Sequence, residues 1–269
     1  MSPRKRRRLR VVSWNVNGLR AAGRKGFLDW LGESRAQIVG LQETKARAEQ
    51  LAPELRRPTR WHTSFSSAER PGYSGVGLYS RLKPAWVRTS LGEQRFDAEG
   101  RLQLALFGQL LVANVYFPKG SGSKRDNSRV PYKLDFYRAL FDQVDRARQA
   151  GYRVLVMGDF NTAPQPIDLA RPKDNVRNSG FLPEERDELQ RWLDAGWIDT
   201  FRTLHPDTVR YSWWKQAFNA RERNVGWRID LVLASEAAMR VVERAFILTN
   251  VTGSDHCPVG VDLSAEVLG

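Results

Sequence analysis

The sequence predicts a single α/β domain in which two β-sheets are flanked by helices. Its apolar runs are short and rich in β-branched residues, as is typical of buried strands, and several of them stop abruptly on polar side chains. Segments with a helical spacing of apolar residues lie between these runs, and no repeat or interdomain linker interrupts them. A chain of 269 residues can bury a substantial core in one such domain.

The first half of the chain predicts mostly strands. A buried strand over 9–16 precedes an amphipathic helix, and a second strand covers 38–41. The inner face of the helix is expected to carry Leu19, Phe27, Trp30 and Leu31. Turn-rich separators that fit hairpins divide the next region into short strands at 61–66, 75–80, 86–89, 102–107 and 110–117.

The second half alternates helices and strands. A long amphipathic helix is predicted at 132–148, and a central strand that begins at Arg153 follows it. Pro183 and the two glutamates after it predict the start of a helix that runs to about residue 195. The remaining apolar runs predict strands at 211–214, 227–233 and 241–248.

The strongest global signal is a formal net charge of +13. A charge this large favours a polyanionic partner, because Lys and Arg gain affinity by displacing counterions from phosphates. A merely basic, soluble protein is the alternative. Residues 1–8 form a basic tail that we expect to be disordered, and the rest of the chain stays basic without it. The folded domain is therefore expected at 9–269.

Cysteine usage and hydropathy restrict the compartment. One cysteine excludes an internal disulfide framework and fits a reducing environment. No run approaches the roughly 18 apolar residues of a membrane span, and nothing resembles a secretory signal. We therefore expect a soluble intracellular protein with no membrane partner.

Polar side chains stand at the ends of the predicted strands. Asp159 and Asn161 follow the central strand and leave it on the same side, while Phe160 points the other way. In an α/β layer fold such residues converge on one rim of the sheets, where ligands bind. The set that we expect to meet there is Asn15, Glu43, Tyr116, Asp159, Asn161, Asp230, Asp255 and His256.

These residue types have a common chemical purpose. Glu43, which has no cationic partner that the sequence reveals, can hold a hard ion such as Mg²⁺ together with a neighbouring carboxylate or amide. Asp159 can deprotonate or orient an attacking water. His256 with a carboxylate behind it can act as a general acid or base, or donate to a developing oxyanion. Three histidines and one cysteine do not suffice for a His-rich zinc site.

Three features keep a simpler interpretation beside the functional one. Asp159 and Asn161 could belong to an ordinary turn after a strand, since Asp and Asn favour turns. Residues 119–130 could form a mobile loop or a phosphate contact. Trp213 and Trp227 could be core residues, which is the commoner fate of tryptophan.

Five motifs, in order, resemble those of the exonuclease III family of apurinic/apyrimidinic (AP) endonucleases, and the resemblance covers 9–263. They are SWNVNGLRA at 13–21, GLQETK at 40–45, GDFNTA at 158–163, NVGWRID at 224–230 and GSDHCPV at 253–259. DNase I-like nucleases and inositol-phosphate phosphatases share the Asn, Glu, Asp-x-Asn and Asp-His parts. The blocks at 227–230 and 253–259 point to the DNA-repair branch.

The resemblance implies a DNase I-like fold, an α/β (α+β) four-layer sandwich of two packed, mainly antiparallel sheets between helices. It implies that Glu43 binds Mg²⁺, with Mn²⁺ as a possible substitute, and that Asp255 and Asn17 support the metal. Asn17 stands where some relatives carry an aspartate, which weakens that site. The resemblance also implies catalytic roles. Asp159, with Asn15 beside it, would activate the water, and Asn161 would stabilise the pentavalent phosphorane. Tyr116 would contact the phosphate, and His256, held by Asp230, would neutralise the phosphate charge.

For the substrate, the resemblance implies double-stranded DNA that carries abasic sites or blocked 3′ ends. Water would attack the phosphorus 5′ to the abasic site and leave a 3′-hydroxyl and a 5′-deoxyribose phosphate. Trp213 and Trp227 would wall a pocket for the flipped-out abasic sugar. The DNA backbone would be gripped by Lys124, Arg125, Arg221 and Arg223.

Two other functions remain open at this stage. The same site could serve mainly as a 3′→5′ exodeoxyribonuclease or for 3′-end cleaning. A protein of a different class, a non-catalytic DNA-binding protein, would keep the basic surface but would not need every polar residue of the set. The expected form is a monomer, located in the cytoplasm (with the nucleoid in a bacterium) or in the nucleus of a eukaryote.

Overall fold

The computed structural model describes residues 8–123 and 126–268. The strands within these residues are β1 Arg8–Asn15, β2 Ile38–Gln42, β3 His62–Ser66, β4 Val76–Ser80, β5 Trp86–Arg88, β6 Leu102–Phe107, β7 Leu110–Tyr116, β8 Arg153–Asp159, β9 Ile198–Asp199, β10 Trp213–Trp214, β11 Gly226–Trp227, β12 Asp230–Ala234, β13 Val242–Ile247 and β14 Val259–Ser264. The α-helices are α1 Leu19–Arg24, α2 Phe27–Glu33, α3 Pro53–Arg56, α4 Gln94–Asp97, α5 Val130–Gln149, α6 Pro172–Asn175, α7 Pro183–Asp194, α8 Thr200–Leu204 and α9 Glu236–Met239.

The strands form two six-stranded sheets and one small ribbon. The first sheet has the order β13-β14-β1-β2-β4-β3, the second has the order β5-β6-β7-β8-β12-β9, and β10 pairs with β11. The pairs β1–β2 and β7–β8 are parallel, and the other neighbours are antiparallel. The expectation of two mainly antiparallel sheets is therefore confirmed.

Three hydrophobic clusters establish the four layers. One cluster lies between the sheets and joins residues such as Val11 and Leu78 of the first sheet to Val112 and Leu155 of the second. A second cluster packs α5 and α7 against the outer face of the second sheet. A third packs α1 and α2 against the outer face of the first sheet. Each sheet is thus covered by helices on one face and by the other sheet on the opposite face.

The strand register brings the functional motifs to one rim. Asn15 lies opposite Gln42 at the ends of the parallel strands β1 and β2, so the next residue, Glu43, leaves the sheet beside Asn15. Asp159, the last residue of β8, lies opposite Tyr116 of β7 and opposite Asp230 of β12. Both sheets therefore deliver polar side chains to the same end of the sandwich.

Several predicted elements differ from the observed ones. The helix expected after the first strand is two helices, since Lys25 and Gly26 separate α1 from α2, and Gly26 has a φ of 89° that a helix does not accommodate. The strand expected at 227–233 is divided between two sheets, as β11 and β12. Strand β14 was not predicted.

The boundary of the expected tail also shifts by one residue. Arg8 is the first residue of β1, where it pairs with Ser264 and forms an ion pair with Glu243. Residues 1–7 of the tail lie outside the described residues. Within the described ranges, none of the helices combines the length and the apolar character that crossing a bilayer requires.

Candidate active site

A hydrogen-bonded chain of Glu43, Asn15 and Asp159 joins the two sheets at this rim. The Asn15 amide nitrogen donates to Glu43 Oε1 at 3.0 Å and to Asp159 Oδ2 at 2.9 Å. All three side chains are buried. Because the amide donates to both carboxylates, it holds two like charges close together that would otherwise repel each other.

The backbone around Glu43 is shaped so that this carboxylate turns into the site. Glu43 has a φ of 53°, an uncommon conformation for a residue with a side chain. Neighbouring backbone bonds maintain it: Gly18 N–H donates to the Glu43 carbonyl at 2.7 Å, and Thr44 N–H donates to the Gly75 carbonyl at 3.0 Å. Three separate segments thus fix the direction of one carboxylate.

Asp159 and Asn161 do form a turn, but both side chains face the site. Asn161 N–H donates to Asp159 Oδ1 at 2.9 Å, and the Asn161 amide donates to the Phe117 carbonyl, also at 2.9 Å. Gly158 before them has no permissible replacement, since a Cβ there would lie 1.8 Å from the Val115 carbonyl oxygen. The turn and the functional interpretation are therefore compatible.

His256 is held by Asp230 and faces Asp159. Its Nδ1 lies 2.8 Å from Asp230 Oδ2, and its Nε2 lies 3.8 Å from Asp159 Oδ2. Ser212 fixes the Asp230 carboxylate by donating its hydroxyl to Oδ2 at 2.6 Å, and it accepts the Asp230 N–H at 3.1 Å. The expectation that folding would bring Asp159, Asp230 and His256 together is confirmed by these distances.

The charges of this cluster shift the ionisation of its members. Burial alone would lower the pKa of His256, but Asp230 and then Asp159 outweigh it and raise the pKa to about 9. Burial raises the pKa of Asp159 to about 6; the His256 charge opposes this rise and the Asp230 charge adds to it. At neutral pH the site therefore holds a cationic His256 beside a carboxylate that can still exchange a proton.

Glu43 is anionic for a different reason. Burial would raise its pKa, but the ammonium groups of Lys119 and Lys45 outweigh burial and lower the pKa to about 2. Lys45 Nζ lies 2.7 Å from Glu43 Oε2, and Lys119 Nζ lies 3.9 Å from Oε1. The expectation that Glu43 has no cationic partner was wrong, because the second residue after it returns to pair with it.

Glu43, Asp159 and His256 form a group that could hold a metal ion. One ligand atom from each lies within 4.8 Å of the others, and all three residues are buried. Two carboxylates, of which Glu43 is fully ionised at neutral pH, supply the oxygen ligands that a hard divalent cation prefers. The donor set therefore fits a divalent cation.

The two other expected metal residues, Asn17 and Asp255, lie outside that three-residue group. The Asn17 amide donates to Asp255 Oδ1 at 2.9 Å, and its oxygen accepts from Lys45. Asp255 Oδ2 accepts from the Trp213 indole at 3.2 Å. These bonds join Asn17 and Asp255 to each other, so a role for them in metal binding stays a prediction.

Tyr116 ends strand β7 opposite Asp159, and its side chain lies close to the Glu43 carboxylate. Burial is the main reason that its pKa lies well above 10, and the nearby Glu43 charge adds to the rise. The Arg101 guanidinium stacks 4.5 Å from the centre of the Tyr116 ring and donates to the Tyr116 carbonyl at 3.0 Å. Because the pKa is raised, the Tyr116 hydroxyl remains protonated at neutral pH and can donate a hydrogen bond.

A cavity of about 320 Å³ opens beside Asn161 and His256. Trp213 and Trp227 form one wall, with ring centres 6.3 Å apart and an interplanar angle of 80°. Both tryptophans are only partly buried, so the interpretation as pure core residues was wrong for them. The full lining consists of Lys119, Ser121, Asn161, Asn175, Asn178, Ser179, Gly180, Trp213, Trp227, Ile229 and His256.

The residues expected to grip DNA have different surroundings. Arg221 donates to the carbonyls of Ser254, Thr249 and Val251, so its guanidinium braces the loop before Asp255. Arg223 is exposed. Lys124 and Arg125 lie outside the described residues. A DNA contact by these four stays a prediction, and the internal role of Arg221 is a structural finding.

Sequence reasoning missed three residues that contact the site. Ser212 fixes Asp230, Lys45 neutralises Glu43, and Lys119 stands between Glu43 and the cavity. Lys45 lies inside the GLQETK motif, two residues after Glu43, and that spacing was an available signal. Nothing local to Ser212 indicates its partner, which lies 18 residues further along the chain.

The fold and this site define a class of hydrolase. Residues 12–256 match the Endonuclease/Exonuclease/phosphatase family, and the chain belongs to that family. Within it, the resemblance to exonuclease III-type AP endonucleases is confirmed by the relatives. The chain is 40% identical over 253 residues to the exodeoxyribonuclease of Bacillus subtilis, an alignment that spans 93% of this chain and 98% of that one.

Two solved structures extend the comparison. The AP endonuclease LMAP from Leishmania major superimposes with a TM-score of 0.85 at 26% identity, over 96% of this chain and 88% of that one. The 3′ phosphatase NExo from Neisseria, bound to a product DNA hairpin, gives a TM-score of 0.84 at 26% identity, over 95% and 99% of the two chains. The DNase I-like four-layer fold expected from the motifs is confirmed.

Proposed function

We propose that this protein is a DNA-repair nuclease that hydrolyses the phosphodiester 5′ to an abasic site. The observation that carries the proposal is the buried cluster in which Asp159 lies between the Asn15 amide and a cationic His256 held by Asp230. One group of this cluster can take a proton while another offers positive charge to a phosphate. Both abilities are needed for the hydrolysis of a phosphodiester by water.

In the proposed reaction, Asp159 accepts a proton from the attacking water. Its pKa of about 6 makes it a carboxylate at neutral pH that is still basic enough for this role. The bond from the water oxygen to phosphorus forms while the bond to the 3′ oxygen breaks, and the leaving oxygen takes a proton from solvent to become the 3′-hydroxyl. His256, cationic at neutral pH, faces the negative charge that grows on the phosphoryl oxygens.

Asn161 and Tyr116 complete the proposed contacts to the phosphate. The Asn161 amide is fixed to the Phe117 carbonyl through one hydrogen, which leaves its second hydrogen for a phosphoryl oxygen. The Tyr116 hydroxyl stays protonated and can donate as well. The products are a 3′-hydroxyl and a 5′-deoxyribose phosphate, as the resemblance implies.

The metal that best fits the donor set is Mg²⁺, and Mn²⁺ would be a substitute. Glu43 would hold it, with the Asp159 carboxylate of the same group beside it, while the cationic His256 would face the phosphate. When bound, it would supply positive charge at the phosphate and at the leaving oxygen. Asn17 and Asp255 would orient Lys45 and the loop beside Glu43.

The cavity supports the choice of an abasic nucleotide. Extruding a nucleotide that has no base costs less than the few kcal/mol needed for a normal one, because no base must be unstacked. The two indoles of Trp213 and Trp227 offer apolar walls for a sugar, and His256 on the same lining places that sugar next to the hydrolytic cluster. The partner would be duplex DNA, acted on by a monomer in the cytoplasm or the nucleus.

A second activity, removal of blocking groups from 3′ ends, has its own support. The cavity is lined by Asn161 and His256, beside which a 3′-terminal nucleotide would lie, and a structural relative is named as a 3′ phosphatase bound to a product DNA hairpin. The same residues would carry out both reactions. An exodeoxyribonuclease, the activity for which a sequence relative is named, would use them as well.

The test is an incision assay on an end-labelled duplex with one abasic-site analogue. We expect a single cut on the 5′ side with a 3′-hydroxyl end when Mg²⁺ is present, and no cut in EDTA or on the undamaged duplex. A β-elimination product, or equal cutting of the undamaged duplex, would contradict the proposal. Binding without any cut would favour the non-catalytic alternative.

A further inference from the structure

The side chain of Lys119 occupies a particular place between the metal-binding group and the cavity. Its ammonium lies 3.9 Å from Glu43 Oε1, and the same residue lines the cavity beside Asn161 and His256. About half of the side chain, 54%, is exposed. Within the described residues its ammonium makes no hydrogen bond, so a half-exposed ion pair with Glu43 is its main contact and contributes little stability.

The backbone under Lys119 is, by contrast, held firmly. On one side, Phe117 N–H donates to the Asp159 carbonyl at 2.9 Å. On the other side, Gly120 N–H donates to the Ser179 hydroxyl at 3.0 Å, and that hydroxyl donates to the fully buried Glu185 at 2.8 Å. A long, half-exposed side chain therefore extends from a fixed point at the mouth of the site.

The buried pair Lys133–Glu185 explains why that point is fixed. Lys133 Nζ lies 2.8 Å from Glu185 and donates to the Asn161 carbonyl at 2.6 Å, and both members of the pair are fully buried. The pair thus connects the backbone of Asn161, the wall at Ser179 and the turn at Gly120. The base of Lys119 and the catalytic Asn161 keep a constant relative position as a result.

We propose that Lys119 is a cation shared between two states of the site: it offsets the Glu43 charge before a metal ion binds, and it binds the substrate phosphate afterwards. Only the second part of this inference, the binding of a substrate phosphate by Lys119, rests on the proposed function. A divalent ion at Glu43 repels both nearby lysines, and Lys119, whose ammonium lies 3.9 Å from Oε1 against 2.7 Å from Oε2 for Lys45, is the more weakly held of the two and is displaced first. The displaced ammonium then lies at the mouth of the cavity that Lys119 lines, where a substrate phosphate can accept a hydrogen bond from it.

The charge of Lys119 also favours one class of substrate. A terminal phosphate carries up to two negative charges near neutral pH, whereas an internal phosphodiester carries one. A lysine that meets the phosphate therefore favours a 3′-terminal phosphate more than an internal link. Lys119 would be a residue that determines specificity for blocked 3′ ends.

The test compares Lys119→Gln, Lys119→Arg and a matched control, Lys83→Gln. Lys83 is an exposed lysine that follows β4 just after Ser80, at the end of the first sheet opposite to Glu43. Binding of Mg²⁺ to the DNA-free proteins is measured by titration calorimetry. Binding of a duplex end with a 3′-phosphate or with a 3′-hydroxyl is measured by fluorescence anisotropy at saturating Mg²⁺, with Asp159→Asn added to every protein so that the duplex is not turned over.

We expect two effects of opposite sign in the same variant. Lys119→Gln should bind Mg²⁺ about three- to tenfold more tightly, because a repelling charge a few ångströms away is removed and the surroundings are partly solvent. It should lose the preference of the parent for the 3′-phosphate end. Lys119→Arg and Lys83→Gln should match the parent in both measurements.

Several results would overturn the inference. They are an Mg²⁺ affinity of Lys119→Gln that stays within twofold of the parent or falls, a change in only one of the two measurements, or a parent protein without preference for the phosphate end. Failure of the proposed function would look different, since the parent would then not incise the abasic duplex. Both binding measurements would still report on Lys119 in that case.

Discussion

Replacing Asp230 with Asn is the most informative perturbation of the hydrolytic cluster. The change keeps the size of the side chain and an oxygen that can accept from His256 Nδ1, which lies 2.8 Å from Asp230 Oδ2. Burial has the largest effect on the pKa of His256 and lowers it, and the Asp230 charge has the second largest effect and raises it. The variant removes that charge. The variant therefore separates the charge of Asp230 from its position.

The magnitude follows from the ionisation of His256. With Asp230 present its pKa is about 9, and without that charge burial acts against only Asp159 and Asp255, so the pKa should fall toward the ordinary histidine value of about 6.5. If the pKa reaches that ordinary value, the cationic fraction at pH 8 falls from about 0.9 to about 0.03, a roughly thirtyfold loss, whereas at pH 6.5 the loss is about twofold. The sign is clear, since the group that must stay protonated becomes more acidic.

The acid limb should move in the same direction. Asp230 also raises the pKa of Asp159, so the variant should keep Asp159 ionised to lower pH. The assay is kcat/KM for incision of an abasic duplex from pH 5 to 10 at saturating Mg²⁺, with protein integrity checked by circular dichroism. A uniform loss with both limbs unmoved would refute the reasoning and would assign Asp230 a purely structural role.

Three further predictions concern the general base, the metal ligand and the basic tail. Asp159→Asn should lower turnover by at least about a hundredfold, because the general base is removed. Its affinity for abasic DNA should stay equal or rise, because a carboxylate that repels phosphate is removed as well. A rate within about tenfold of the parent, or weaker binding in an anisotropy titration, would contradict this prediction. Glu43→Ala should raise the Mg²⁺ concentration needed for half-maximal incision and cut turnover by roughly a hundredfold or more, and EDTA should abolish the parent activity. Residues 2–7 contain four basic residues. Deleting them should reduce the slope of log affinity against log salt concentration by roughly 0.9 for each phosphate that the tail neutralises. Turnover at saturating DNA should stay unchanged. An unaltered slope would exclude the tail from binding.

Much of the site could be predicted because its residues lie at the ends of strands. Each motif combines a local apolar run with the polar residue that terminates it, and the pleat decides on which side that residue leaves. For this reason Asp159 and Asn161 were placed correctly from the short run that begins at Arg153. The convergence of Asp159, Asp230 and His256 on one rim followed from the layer architecture and the family motifs together.

The remainder depends on contacts that sequence spacing does not encode. The predicted strand at 227–233 is divided because Arg228 turns inward to a buried network with Asp168 and Asp199, which separates β11 from β12. Arg221 looked like a DNA contact in the sequence, but its guanidinium is used by three backbone carbonyls. In each case the partner lies far along the chain, so only tertiary packing reveals it.

Polar residues that support the site were the hardest to find. Ser212 precedes the two tryptophans in an apparently ordinary strand, yet it fixes the orientation of Asp230. Lys119 lies in a Gly-Ser-Lys-rich segment where a mobile loop and a phosphate contact were both compatible with the sequence. Its proximity to Glu43 became apparent only in the folded chain.

The central claim is that Asp159 and His256 serve one transition state as a unit. Their side chains lie 3.8 Å apart, so each single replacement should remove most of what the pair contributes. The direct measurement is single-turnover incision of an abasic duplex by Asp159→Asn, His256→Asn and the double variant, with each at saturating Mg²⁺ and DNA. We expect the double variant to be about as slow as the slower single variant, because the two groups act together. Rate losses that multiply strictly would contradict the claim.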